Sequence, residues 1–69
     1  MNELQVEVNG QLMSLSLGTT VDDLVDHLHL DRTGVAVAVN HTVIPRSQRH
    51  HTVLKPKDCI EVIHAVGGG

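Results

Sequence analysis

Leu4-Gln5-Val6-Glu7-Val8-Asn9-Gly10-Gln11-Leu12-Met13-Ser14-Leu15 is the stretch that decides the fold. Leu4, Val6 and Val8 alternate with Glu3, Gln5 and Glu7, the period of a half-buried strand, and Asn9-Gly10 is a strong short-range hairpin signal. A two-residue turn there pairs Val8 with Gln11, Val6 with Met13 and Leu4 with Leu15. That register puts Met13, Leu15 and Leu17 on the face already carrying the apolar residues of the first strand, and leaves Leu12 on the opposite, exposed face.

Working outward from this hairpin, Gly18-Thr19-Thr20 ends it, and Thr20 followed by Asp23 has the form of a capping box. Asp22 and Asp23 also suit a helix N-terminus. Val21, Leu24, Val25 and Leu28 then mark one face at helical spacing, predicting an amphipathic helix of about two and a half turns that depends on packing against a sheet. Asp31-Arg32-Thr33-Gly34 closes it as a loop. Val35-Ala36-Val37-Ala38-Val39 predicts an interior strand whose valines meet the helix and whose alanines leave the other face open to close approach. Asn40-His41-Thr42 turns the chain, Val43-Ile44 is a short extended piece, and Pro45 ends it because it has no N–H for a ladder. Residues 46–51 are polar and predict an irregular or single-turn segment; Thr52-Val53-Leu54 follows, and Lys55-Pro56-Lys57-Asp58 is a turn. Ile60 and Val62 make the last strand, with Glu61 facing out. This order predicts an α+β, two-layer β-grasp (ubiquitin-like) fold, a mixed sheet of four to five strands packed on one helix. Residues 1–66 are expected to form the domain and 67–69 a flexible C-terminal glycine tail.

At 69 residues the chain is a single small domain, and a domain of that size buries only roughly 60% of its unfolded surface. Phe, Tyr and Trp are absent, so Val, Leu, Ile, Ala and Met must build the core. Cys59 is the sole cysteine and has no disulfide partner, which suits a reducing cytosol; it is expected to be a small core or semi-buried residue. The first residues lack a basic region followed by an apolar run, and Val35 to Val39 is too short to cross a bilayer, so a soluble cytoplasmic protein without a membrane partner is expected. A net charge of −3 and the lack of aromatics argue against nucleic acid and favour a partner with a basic patch.

Catalytic constellations are missing. His27 and His29 cannot share a helix face and His50-His51 are loop neighbours, so no metal site is expected. Cys59 and His64 are an odd number of positions apart in one strand, which sends them to opposite faces and rules out a nucleophilic pair. The glycines are not flanked by strand and helix in the order of a phosphate loop, so no bound ATP is expected, and the carboxylates are scattered. The chain is not expected to be an enzyme acting alone. What stands out is Val62-Ile63-His64-Ala65-Val66-Gly67-Gly68-Gly69, an apolar strand running into three glycines, which places a carboxylate at the end of a narrow arm. Glycines lose the most backbone freedom on ordering and add no burial, so fold stability does not ask for them there. The sheet face away from the helix carries Leu12 and, close to the departing arm, Ile63 and Ala65, an apolar surface expected to dock partners together with Val66.

Four stretches together resemble the ThiS family of small sulfur carriers of thiamine-thiazole biosynthesis. They are Val8-Asn9-Gly10; Gly18-Thr19-Thr20-Val21-Asp22-Asp23-Leu24; Val35 to Asn40 with Val43-Ile44-Pro45-Arg46-Ser47-Gln48; and Asp58 to Gly69. The third is the most discriminating, because the small subunit of molybdopterin synthase shares the fold and terminal diglycine but is not similar there. Two departures are visible. Lys57 stands where the family often has glycine, and a third glycine leaves the diglycine as Gly68-Gly69. The resemblance implies that Gly69 is adenylated by a ThiF-like partner of the ubiquitin-activating type using ATP and magnesium. It also implies that a cysteine desulfurase persulfide supplies sulfur, and that the resulting thiocarboxylate passes it to a ThiG-like thiazole synthase. Three extended residues, Gly67, Gly68 and Gly69, reach about 10 Å, enough to enter a partner's channel. Two readings stand beside this one: a ubiquitin-like modifier conjugated through Gly69 to lysines, or a carrier of another pathway, of the molybdopterin type; a plain interaction module is the third.

Overall fold

The computed structural model describes residues 2–64. The first hairpin joins β1 (Glu3–Val8) to β2 (Gln11–Ser16) in the predicted register, with Leu4 opposite Leu15, Val6 opposite Met13 and Val8 opposite Gln11. Asn9 and Gly10 take φ of 50° and 87°, the left-handed pair that lets a two-residue loop follow the strand twist. A second hairpin joins β3 (Val35–Val39) to β4 (Thr42–Val43), and its turn residues Asn40 and His41 are left-handed as well, at 52° and 71°. β5 (Cys59–His64) is last in sequence and central in space. The sheet order is β2-β1-β5-β3-β4, with β5 parallel to β1 and antiparallel to β3. This five-stranded mixed sheet with one helix is the expected α+β, β-grasp arrangement.

The helix, α1 (Val21–His27), starts as predicted. The Thr20 hydroxyl accepts from the Asp23 N–H and the Asp23 carboxylate accepts from the Thr20 N–H, both at 3.1 Å. It is shorter than the apolar spacing suggests, because His29 adopts φ 59° and the chain closes on itself. The His29 N–H donates to Asp26 O at 2.9 Å and the Leu30 N–H to Val25 O at 3.1 Å, the paired bonds of a left-handed helix stop, usually made with glycine. Leu28 and Leu30 still pack on the core from beyond the helix. Val21, Leu24 and Val25 are fully buried against Val6, Val37, Ile60 and Val62, with Leu4, Val8, Leu15, Val35 and Leu54 completing the core.

Leu17 departs from expectation. β2 ends at Ser16, Gly18 turns the chain at φ 91°, and Leu17 is exposed, its N–H held by Asn2 O at 2.9 Å. The polar stretch after Pro45 contains a 3-10 turn (Arg46–Gln48), in line with the single-turn expectation. It also contains Arg49, which is only 4% exposed. Its guanidinium donates to Arg32 O at 3.0 Å and to Val35 O, capping the edge of β3 where the two-residue β4 has run out. The loop after α1 forms a 3-10 turn (Arg32–Gly34) tied back by a two-pronged contact from Arg32 to Asp26. That hydrogen bond, more than the charge itself, holds the Asp26 carboxyl below its ordinary range. Whatever stability the pair adds is therefore present above the ordinary aspartate pKa and lost as pH falls through the lowered one. Being exposed, it adds little.

Lys57 sits in the left-handed region at φ 72°, with its N–H donating to Gln5 O at 2.8 Å. A lysine Cβ costs energy there that glycine does not. Lys57→Gly should stabilise the domain by about 0.5 kcal/mol, the relief of strain exceeding the added freedom of the unfolded chain, and raise Tm by roughly 3 °C. Thermal denaturation followed by circular dichroism checks this; an unchanged or lower Tm contradicts the strain.

Candidate functional site

Everything that points toward the glycine tail converges on β5, which both turn asparagines hold. At the start of β5, the Asn40 side chain accepts from the Cys59 N–H at 2.9 Å and donates to the Asp58 carboxylate at 3.0 Å. The other Asp58 oxygen accepts from the Lys55 N–H at 2.8 Å, so the turn before β5 is closed by the same group. Four residues into the strand, the Asn9 side chain accepts from the Val62 N–H at 2.9 Å and donates to Val62 O at 3.1 Å. The inward side chains Ile60 and Val62 are buried, so the strand is fixed by packing as well as by its edges.

The outward side chains of β5 are Cys59, Glu61 and Ile63. Ile63 lies opposite Ala36, and Glu61 opposite Ala38, which in turn pairs with Val43. The small alanines leave a shallow groove of about 270 Å³ lined by Ala36, Ala38, His41, Val43, Glu61 and Ile63. Ile63 and Val43 are each 69% exposed, large aliphatics presented to solvent on the face away from α1. His41 and Glu61 form its polar rim, with Nδ1 and Oε1 3.7 Å apart. Leu12 stands on the same face and is 72% exposed, but β1 lies between its strand and β5. Glu7 pairs with Leu12 and with Cys59, so polar side chains separate Leu12 from the groove. Ala65, Val66, Gly67, Gly68 and Gly69 lie outside the described residues.

Cys59 is partly buried, its Sγ 3.9 Å from a Glu7 oxygen, and His64 is on the other face of β5 opposite Val35, so the two do not form a pair. Among the described residues no three His, Cys, Asp or Glu side chains are grouped to hold a metal, and no helix is long and apolar enough to cross a membrane. The groove residues on β3 and β4 are absent from the docking set read from sequence, although the alternation of valine with alanine in β3 is the signal for them. The asparagine contacts carried no such signal, because Asn at a tight turn is accounted for by its backbone preference alone.

Comparison with known proteins agrees with this geometry. The sulfur carrier protein ThiS of Escherichia coli is 30% identical over 66 residues, covering 96% of this chain and all of that protein. A thiazole synthase of Magnetococcus marinus is 35% identical over 66 residues, again 96% of this chain but 20% of the enzyme. The crystal structure of the thiamine biosynthesis protein ThiS from Geobacter metallireducens superposes with a TM-score of 0.80 at 26% identity, covering 96% of this chain and 100% of that one. The ThiS family model matches residues 5–69, and the chain belongs to the ThiS family of sulfur carriers of thiamine biosynthesis.

Proposed function

We propose that the protein carries sulfur as a thiocarboxylate on Gly69, formed after adenylation of that residue, and delivers it to the thiazole moiety of thiamine. Residues 1–66 serve as the docking body and residues 67–69 as the arm. The observation that carries this reading is the placement of β5, a strand anchored at the centre of the sheet, whose sequence continues through Ala65-Val66 into Gly67-Gly68-Gly69. The chemistry requires activation. A chain-terminal carboxylate, with a pKa near ~3.5, is ionised at neutral pH and is a poor electrophile. A ThiF-like activating enzyme supplies ATP and magnesium: a Gly69 oxygen attacks the α-phosphorus and pyrophosphate leaves. A persulfide from a cysteine desulfurase then displaces AMP, and a thiol cleaves the resulting acyl disulfide to release the thiocarboxylate. The carrier contributes no acid, base or metal to these steps; it supplies a thin thread and a surface to grip. Ile63 and the groove beside it are that surface, with Leu12 on the same face across β1 as a second candidate; Ala65 and Val66, also in the docking set read from the sequence, lie outside the described residues. A thiazole synthase as acceptor is supported by the Magnetococcus marinus enzyme, of which a segment is similar to nearly all of this chain.

Incubation with a ThiF-like enzyme, ATP, magnesium and a persulfide donor tests this by intact mass. The expected product is heavier by one oxygen-to-sulfur exchange. Adducts of protein size on lysines would make the chain a modifier instead, and an unchanged mass with a competent enzyme would end the proposal.

A further inference from the structure

Asn9 does more than turn the chain. The paired positions of β1 and β5 end at Val8 and Ile60, yet contact between the hairpin and β5 continues one step further. The Asn9 N–H donates to Ile60 O at 2.9 Å, and its side chain then takes both backbone groups of Val62. A residue continuing β1 would have made these bonds through its main chain. It cannot, because Asn9 and Gly10 have already turned toward β2. The carboxamide, with one acceptor and one donor side by side, stands in for the missing peptide group. These bonds are partly buried and join residues 53 positions apart, so they fix the strand and not merely the turn. Beyond Val62, no strand of the described residues lies on that edge of β5, which is held there by β3 alone.

We propose that Asn9 is a positioning residue for activation of the tail: by closing both hydrogen-bonding groups of Val62 it fixes the last doubly held point of β5, from which the segment beyond His64 reaches the activating enzyme. This rests on Gly69 being the reacting end. A carboxylate on a thread is delivered productively only if the thread leaves the body at a defined place and angle, and small misplacements of a reacting group are costly in rate.

Two variants separate the clamp from the turn. Asn9→Gly keeps a residue at ease with positive φ but removes the carboxamide. Asn9→Asp keeps the turn and an acceptor for the Val62 N–H, but faces the Val62 carbonyl with a carboxylate oxygen. Both should fold, with the Val62 amide exchanging at least about tenfold faster relative to Val6, and with a lower ¹⁵N order parameter at His64. With the ThiF-like enzyme, Kd measured without ATP should stay within about twofold, while kcat for ATP–pyrophosphate exchange falls about tenfold. Loss of stability alone would not divide kcat from Kd in this way. Unchanged kcat despite faster Val62 exchange would make Asn9 a turn residue only and leave the proposed function standing. If the wild-type chain supports no exchange reaction, the reading of Gly69 fails, and an unchanged His64 order parameter in Asn9→Gly still overturns the clamp. Should Asn9→Gly fail to fold, Asn9→Asp carries the same readouts, and failure of both to fold overturns the positioning role.

Discussion

A chain shortened by Gly69 alone should keep its fold and lose adenylation by more than about 10³-fold. Removing one extended residue withdraws the carboxylate by about 3.5 Å, and a misplacement of about 1 Å already costs about 10²-fold in a well-aligned reaction. The fold is expected to be indifferent to the change because, among the described residues, the last buried core side chain is Val62, well before the glycines. Tm should therefore move by less than about 2 °C while pyrophosphate exchange disappears. Unfolding of the shortened chain would mean that the arm packs on the body; undiminished exchange would mean that the carboxylate of Gly69 is not the reacting group. Gly68→Val belongs to the same experiment. It keeps the length and adds a β-branched side chain, so a steep fall in turnover at constant Tm tests the width of the path as the truncation tests its reach.

Ile63→Asp should weaken binding to the activating enzyme or to thiazole synthase by about 10- to 100-fold. Ile63 is exposed in the free protein, so its replacement costs little beyond the poorer strand propensity of aspartate. In a complex the new carboxylate would be stripped of water against the alanines of β3 without a partner. Leu12→Asp, on the same face but across β1, should cause a smaller loss. Titration calorimetry on both variants maps the footprint: equal and large losses would extend it across the whole sheet face, and none would place docking elsewhere.

The parts of the fold that rest on neighbours in sequence were legible. Alternation and Asn9-Gly10 give the first register residue by residue, and Thr20 with Asp23 gives the helix start, because each is decided within a few positions. The parts set by distant partners were not. Nothing near Arg49 indicates that it is buried; its place is fixed by carbonyls of Arg32 and Val35 left bare by the shortness of β4. The helix stops early because His29 turns left-handed, and the spacing of Leu28, which packs from beyond the stop together with Leu30, looks the same either way. For the docking surface, Ile63 could be placed on the outer face by parity, whereas joining it to Ala36, Ala38 and Val43 required the strand order.

The position of β5 also bears on how the protein comes into being. Glu7 meets Cys59 across 52 positions of the chain, and β3 has no inner neighbour until β5 arrives. During synthesis the two hairpins must wait, with Ile60 and Val62 not yet made, and the long closure between them slows folding compared with a helical domain of this size. A ribosome that stalls before residue 59 therefore releases a fragment with no centre to its sheet. Such a fragment lacks Ile63 as well as the glycines, so under the proposed function it would have neither the docking residue nor the reacting end.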